Sequence, residues 1–162
     1  MKLTVSEAKS FKDSIAVISE LVNEATFKIK PEGLELVAMD PANVAMVVYK
    51  LLSSSFAEYD VDKNTEISIS LANLKQILRR CNPTDVLALE FDEKTNKLQI
   101  QFKGNSTRTF SLPVIELDEK EQKVPELSFP LTVKIPTEVL EEAIEDVDIV
   151  AESVSLVVEP KK

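Results

Sequence analysis

LPVIELDEKEQKVPELSFPL, Leu112 to Leu131, is the stretch on which the reading of this chain turns. It carries Pro113, Pro125 and Pro130 and an acidic run of Glu116, Asp118, Glu119 and Glu121. Proline fixes φ and cannot donate to a ladder, so the stretch is neither a central strand nor a helix interior. It also exceeds the ~4–6 residues of an ordinary connection inside a domain. Yet it keeps Val114, Ile115, Leu117, Val124, Leu127 and Phe129, which a solvated linker does not need. It reads as a connector that lies along a surface and helps to build a binding site.

On its N-terminal side the pattern runs twice. Lys2–Val5 alternates as a strand, and Ser6 is placed to cap a helix that reaches Val22. Phe11, Ile15, Ile18 and Val22 form one apolar stripe on it, while Lys9, Lys12, Ala16 and Ser19 lie off the stripe. Strands over 25–30 and 34–39 flank the turn Pro31-Glu32-Gly33, and Asp40-Pro41-Ala42-Asn43 turns the chain into a strand over 44–50. The pattern restarts with a strand over 66–70 and a helix over 71–81, whose stripe is Leu71, Leu74, Leu78 and Cys81. Lys75, Gln76, Arg79 and Arg80 fall outside that stripe, and Asn82-Pro83 ends the helix. Strands over 86–91 and 98–103 form a hairpin, and Thr107–Leu112 adds one more.

Beyond the connector the pattern starts a third time. Leu131–Ile135 reads as a strand, Pro136 and Thr137 open a helix with the stripe Leu140, Ala143, Ile144 and Val147, and Val154–Val158 alternates as a strand. The three starts, near Lys2, Glu66 and Leu131, are about 64 residues apart, a repeat at the scale of a supersecondary unit. Two copies side by side predict an α+β layer, with two helices packed on one face of a continuous antiparallel sheet. The third copy lacks a fourth to pair with. The expected organisation is therefore a first domain over 1–113, a connecting loop over 114–130, and an incomplete start of a second domain over 131–162, as in a shortened chain.

The 162 residues carry a net charge of −9 and no histidine, with 44% apolar residues. That composition supports a sizeable core and argues against global disorder. The negative charge argues against strong nucleic-acid binding by charge alone, although a local basic face remains compatible with it. No apolar run approaches the ~18 residues of a membrane helix. Cys81 is the lone cysteine and reads as a small core residue; an intracellular setting is the simplest fit. Without histidine there is no Ser–His–Asp or Cys–His triad, and two glycines cannot build a phosphate-binding glycine loop. An acid–base pair at Asp60 and Asp62 is a weak hydrolase reading, since a solvated acidic turn looks the same. No catalytic residue, metal or cofactor is expected.

Three stretches taken together resemble the archaeal form of the sliding clamp family known as proliferating cell nuclear antigen. They are VNEATFKI at 22–29, VAMDPANVAMV at 37–47, and STRTFSLPVIELD at 106–118 running into VPEL at 124–127. The resemblance covers essentially the whole chain in register. It implies the DNA-clamp fold and a subunit of a three-membered ring that encircles duplex DNA and tethers polymerase, clamp loader and other client proteins. It places Lys9, Lys12, Lys75, Arg79 and Arg80 on the DNA side, although ordinary solvated helix surface carries the same residues. An acidic body with a thin basic lining suits weak, sequence-blind contact that permits sliding.

The resemblance further implies a client-peptide pocket at Met39, Asn43, Val44, Gln122, Val124 and Pro125, with Gln122 where an aliphatic residue is usual. Core packing is the competing reading of Met39 and Val44. Ring closure would use the strand Thr107, Arg108, Thr109, Phe110, Ser111 and Leu112, with Leu74, Ile77 and Leu78 nearby. The third helix departs from the family in exposing Glu138, Glu141, Glu142, Glu145 and Asp146, which puts a DNA-facing role for it in question. With the second domain incomplete, the chain is not expected to form a stable closed homotrimer. The alternative reading is a stand-alone client-peptide-binding module that does not encircle DNA.

Overall fold

A computed structural model describes residues 1–117 and 123–159. The chain divides into two compact units, Met1–Val124 and Pro125–Lys162.

In the first unit, β1 (Lys2–Val5) leads into α1 (Ala8–Leu21). The buried face of α1 is Phe11, Ile15 and Ile18, with Val22 just beyond its end, as the 3.6-residue spacing requires. Ser6 does not cap it. The cap position is Glu7, which makes no side-chain cap bond, so the predicted N-terminus is one residue early. β2 (Glu24–Lys30), β3 (Gly33–Met39) and β4 (Met46–Leu52) form an antiparallel meander. A short 3₁₀ turn, Ser53–Ser55, then leads to β5 (Phe56–Asp60), a strand the sequence did not disclose.

The second repeat opens with β6 (Thr65–Ser70) and α2 (Leu71–Leu78). Here the cap is real: the Ser70 hydroxyl accepts from the Asn73 backbone N–H at 3.3 Å. The helix ends at Leu78, and Arg79 and Arg80 turn out of it. β7 (Val86–Asp92), β8 (Lys97–Lys103) and β9 (Thr107–Pro113) complete the unit.

These strands make two sheets where the repeat alone predicts one continuous sheet. Sheet A has the order β5-β1-β7-β8-β9 and sheet B the order β4-β3-β2-β6. The repeats exchange their opening strands: β1 pairs with β7, and β6 pairs with β2. Alternation along a strand says which side chains point inward, but not which strand lies alongside. The exchange means that neither repeat can complete its sheet alone. Inward residues of both sheets and the buried helix stripes join in one core, in which Leu3, Ile15, Leu36, Ile67, Ile69, Leu71, Leu74, Leu87, Ile100 and Phe102 are almost fully buried. Each such side chain contributes roughly 1.5–3 kcal/mol of apolar burial. After β9 the chain crosses between the sheets. Val114 N–H donates to Asn96 O at 3.2 Å and Ile115 N–H to Ser68 O on β6 at 2.9 Å.

In the second unit, α3 (Thr137–Asp148) forms as the spacing predicts. The strands expected at Leu131–Ile135 and Val154–Val158 do not form; among the described residues this unit has no strand. Leu131, Val133, Ile135, Val154, Leu156 and Val158 are exposed, and α3 buries no residue. An alternating segment becomes a strand only when a neighbour's backbone groups pair with it.

Candidate functional site

Two surfaces of the first unit and an edge strand carry most of the candidate residues. The first surface is the outer side of the helix pair. α1 and α2 run antiparallel. Glu20, near the end of α1, pairs with Lys75 in mid-α2, while Lys12, near the start of α1, lines one crevice with Cys81, Asn82 and Pro83 just past α2. Lys9 is exposed and Lys12 half-buried beside that crevice, and Arg79 and Arg80 are exposed immediately before it. Lys9, Lys12 and Asp13 thus line the crevice itself, while Arg79 and Arg80 lie in the turn that leads to it from α2. Lys75 differs from the other four. Its side chain is 22% exposed and is tied to the Glu20 carboxylate, which the Lys75 ammonium and then Arg79 hold below the ordinary carboxylate range. Cys81 is buried as expected, its thiol donates to Asn82 O at 3.7 Å, and burial followed by the nearby Asp85 carboxylate pushes its pKa up.

The second surface is the outward face of sheet B. In β3 the residues alternate, Leu34, Leu36 and Ala38 inward and Glu35, Val37 and Met39 outward. The β3–β4 register sets Val37 opposite Val48 and Met39 opposite Met46. At one end Glu35 pairs with Lys50 at 3.0 Å and Lys30 at 3.8 Å. The face thus passes from a charged row to an apolar patch of Val37, Val48, Met39 and Met46, all half-buried or exposed. Met39 is therefore not a core residue. Met46, Val37 and Val48 were missed in the sequence, although the parity of the hairpin places them beside Met39.

A built turn borders this patch. The Asp40 carboxylate accepts from Val44 N–H at 2.7 Å and Ala45 N–H at 2.8 Å. Asp40 N–H donates to Ala45 O, and Asn43 N–H to Asp40 O, both at 2.9 Å. Asn43 has φ 57°, a left-handed conformation that asparagine tolerates better than most residues. The bonds from Ala45, then Val44, hold the Asp40 pKa below its ordinary value. The result is a fixed turn with Val44 at its tip, 86% exposed. Val44 is neither in a strand nor in the core, against the predicted strand over 44–50. Val124 is 52% exposed, and Pro125 is exposed in the other unit. Gln122 lies outside the described residues.

β9 is the edge of sheet A. Thr107, Thr109 and Ser111 point outward, Ser111 donating to Gln99 Oε1 at 2.8 Å. Phe110 packs on Phe102 with ring centroids 5.4 Å apart. Leu112, Leu74 and Leu78 are buried in the core, so these three side chains cannot contact another subunit, contrary to their expected place at an interface; Ile77 is half-buried. Helical periodicity marks an apolar residue without saying whether its face is the core or a partner. Arg108 is drawn back toward the body. It donates to Arg80 O at 2.9 Å, pairs with the buried Asp85 carboxylate, and its guanidinium sits 5.4 Å from the Phe102 ring centroid. Asp85 also accepts from Asn82 N–H at 2.9 Å. The acidic residues of α3, Glu138, Glu141, Glu142, Glu145 and Asp146, are all exposed.

A family model described as proliferating cell nuclear antigen, N-terminal domain, matches residues 1–122. The DNA polymerase sliding clamp of Nanoarchaeum equitans is 32% identical over 161 residues, which cover 99% of this chain and 65% of that protein. The DNA polymerase sliding clamp of Thermococcus gammatolerans is 41% identical over 150 residues, covering 93% of this chain and 60% of that protein. Among solved structures, proliferating cell nuclear antigen from Thermococcus kodakaraensis matches with a TM-score of 0.85 at 27% identity, over 93% of this chain and 61% of that one. A chain from the PCNA2–PCNA3 complex of Sulfolobus tokodaii gives the same TM-score of 0.85 at 24% identity, over 93% and 61%, a likeness of fold alone. The chain spans 60–65% of the length of these two sliding clamps.

Proposed function

We propose that this chain, which belongs to the proliferating cell nuclear antigen family by its N-terminal domain, acts as a non-enzymatic subunit of a DNA sliding clamp. In this reading the helix pair of the first unit faces duplex DNA inside a ring of clamp subunits. The outward face of sheet B, with the Asp40 turn, docks replication and repair proteins through a short peptide bearing aliphatic and aromatic anchors. β9 offers its open backbone edge to a neighbouring subunit, because an edge strand carries unpaired N–H and C=O groups that a second strand satisfies.

The observation that carries the reading is the pairing of two chemically distinct faces on one core. Cations lie on α1, on α2 and in the turn after it, which suits sequence-blind phosphate contact. The sheet face presents an apolar patch beside a turn that is ordered before any ligand arrives. Pre-ordering of that kind lowers the entropy lost when a peptide docks. A few buried anchors then dominate the affinity.

The test is primer extension by a replicative polymerase with its clamp loader on singly primed circular DNA. On the clamp reading, products lengthen when the chain is added, as identical copies or together with other clamp subunits. Unchanged lengths in both formats overturn it. A second reading, a peptide-docking module that does not encircle DNA, is favoured by the position of the whole apolar patch and its turn within Met1–Val124. Unchanged extension with peptide docking intact selects that reading.

A further inference from the structure

The cations on the helix pair are unequal. Lys9 and Lys12 border the crevice at the start of α1, Arg79 and Arg80 lie in the turn after α2, and three of the four are exposed. Lys75 sits farther along the pair. Its stem is largely covered, and its ammonium is held by Glu20, whose own side chain is 71% exposed. A phosphate brought to Lys75 therefore meets the Glu20 carboxylate at the same place, and attraction and repulsion offset each other. We infer that Glu20 withholds Lys75 from duplex DNA and leaves the phosphate contact of this domain to Lys9, Lys12, Arg79 and Arg80. This rests on the reading of that face as DNA-facing.

The consequence is a grip that is thin by construction. Counterion release adds about 0.9 to the salt slope of log affinity for each phosphate neutralised on duplex DNA. A lysine masked by a carboxylate adds nothing to the slope. Glu20 thus sets how many phosphates the domain neutralises, and so how strongly it drags on the duplex, without touching DNA itself. It is a positioning residue acting through Lys75.

The test is fluorescence anisotropy of a labelled duplex of about 30 base pairs with the whole chain, from about 50 to 200 mM salt. The variants are Glu20→Ala, Lys75→Gln and their combination. Glu20→Ala is expected to steepen the slope by about 0.9, so that its affinity gain over the parent is about 3.5-fold larger at the low end of the range than at the high end. Lys75→Gln alone leaves the slope unchanged, and the double variant matches Lys75→Gln. A Lys75→Gln chain whose slope flattens by about 0.9, or a silent Glu20→Ala, overturns the inference. Arg79→Gln with Arg80→Gln separates the two levels. If that pair weakens binding while Glu20→Ala is silent, only the role of Glu20 fails. If it changes nothing, or the parent does not bind duplex at all, the DNA-facing reading fails and the inference with it.

Discussion

Arg108→Met is the perturbation that most sharply tests how the edge strand is held. The substitution keeps an unbranched stem over Phe102 but removes the guanidinium that joins β9 to Asp85 and to Arg80 O. Asp85 is 4% exposed at its side chain, and Arg108 is 29% exposed. Losing one partner of a buried pair costs about 3–5 kcal/mol, because the remaining charge is left uncompensated. Two features lower the figure here. Asp85 keeps the Asn82 N–H bond, and the partial exposure of Arg108 admits water. We expect a loss of about 2–3 kcal/mol. In urea this appears as a lower midpoint at unchanged m, and on heating as roughly 2–4 °C per kcal/mol. The second arm is Asp85→Asn with Arg108→Met. With no buried charge left, the double variant is more stable than Arg108→Met alone. The reasoning fails if Arg108→Met lies within about 0.5 kcal/mol of the parent, the range of an ordinary surface change, or if the double variant is the less stable of the two.

Four further outcomes follow from the same geometry. Gly104→Ala drives a methyl group into the Asp85 carboxylate, which two hydrogen bonds hold in place, so calorimetry should show destabilisation of about 1–2 kcal/mol, and less when Asp85 is also Ala. Ile15→Ala empties a fully buried position under α1 and is expected to cost about 2–5 kcal/mol in chemical denaturation. Val44→Glu alters a tip that is 86% exposed, so thermal stability stays level while affinity for an anchor peptide falls about 30-fold or more in a fluorescence titration. Asp40 has a depressed pKa, so the order it confers on its turn is complete above the ordinary carboxylate pKa and is lost as the pH falls through the lower folded value; the amide signals of Val44 and Ala45, followed by NMR during acid titration, should move together in that window.

Much of the fold was legible because local physics enforces it. The stripe of Phe11, Ile15 and Ile18 and the inward set of Leu34, Leu36 and Ala38 follow from periods of 3.6 and 2. Strand exchange between the repeats was not legible, since alternation carries no information about the neighbour. β5 was missed because four of its five residues, Ala57, Glu58, Tyr59 and Asp60, lie half or fully exposed, so it shows no clean alternation. The segments at 131–135 and 154–158 show the opposite failure, an alternating pattern without a partner strand. At the candidate site the cations were visible as residues off the helix stripes. The Glu20 carboxylate that occupies one of them was not, because it lies 55 positions from Lys75 and meets it only through helix packing. Asp85 was invisible for the same reason: nothing local marks a charged residue as buried until Arg108 arrives from a distant strand. Met46 and Val48 were in principle readable from the register of the hairpin once Met39 had been placed outward.

The central claim, that the apolar face of sheet B and its Asp40 turn receive client peptides, is met most directly by a peptide titration followed by methyl NMR. With a peptide carrying one aliphatic and two aromatic anchors, saturable shifts should concentrate on Met39, Val44, Met46 and Val48, and should vanish in Val44→Glu. Saturable binding that leaves those four methyl signals in place, or that survives Val44→Glu, contradicts the assignment.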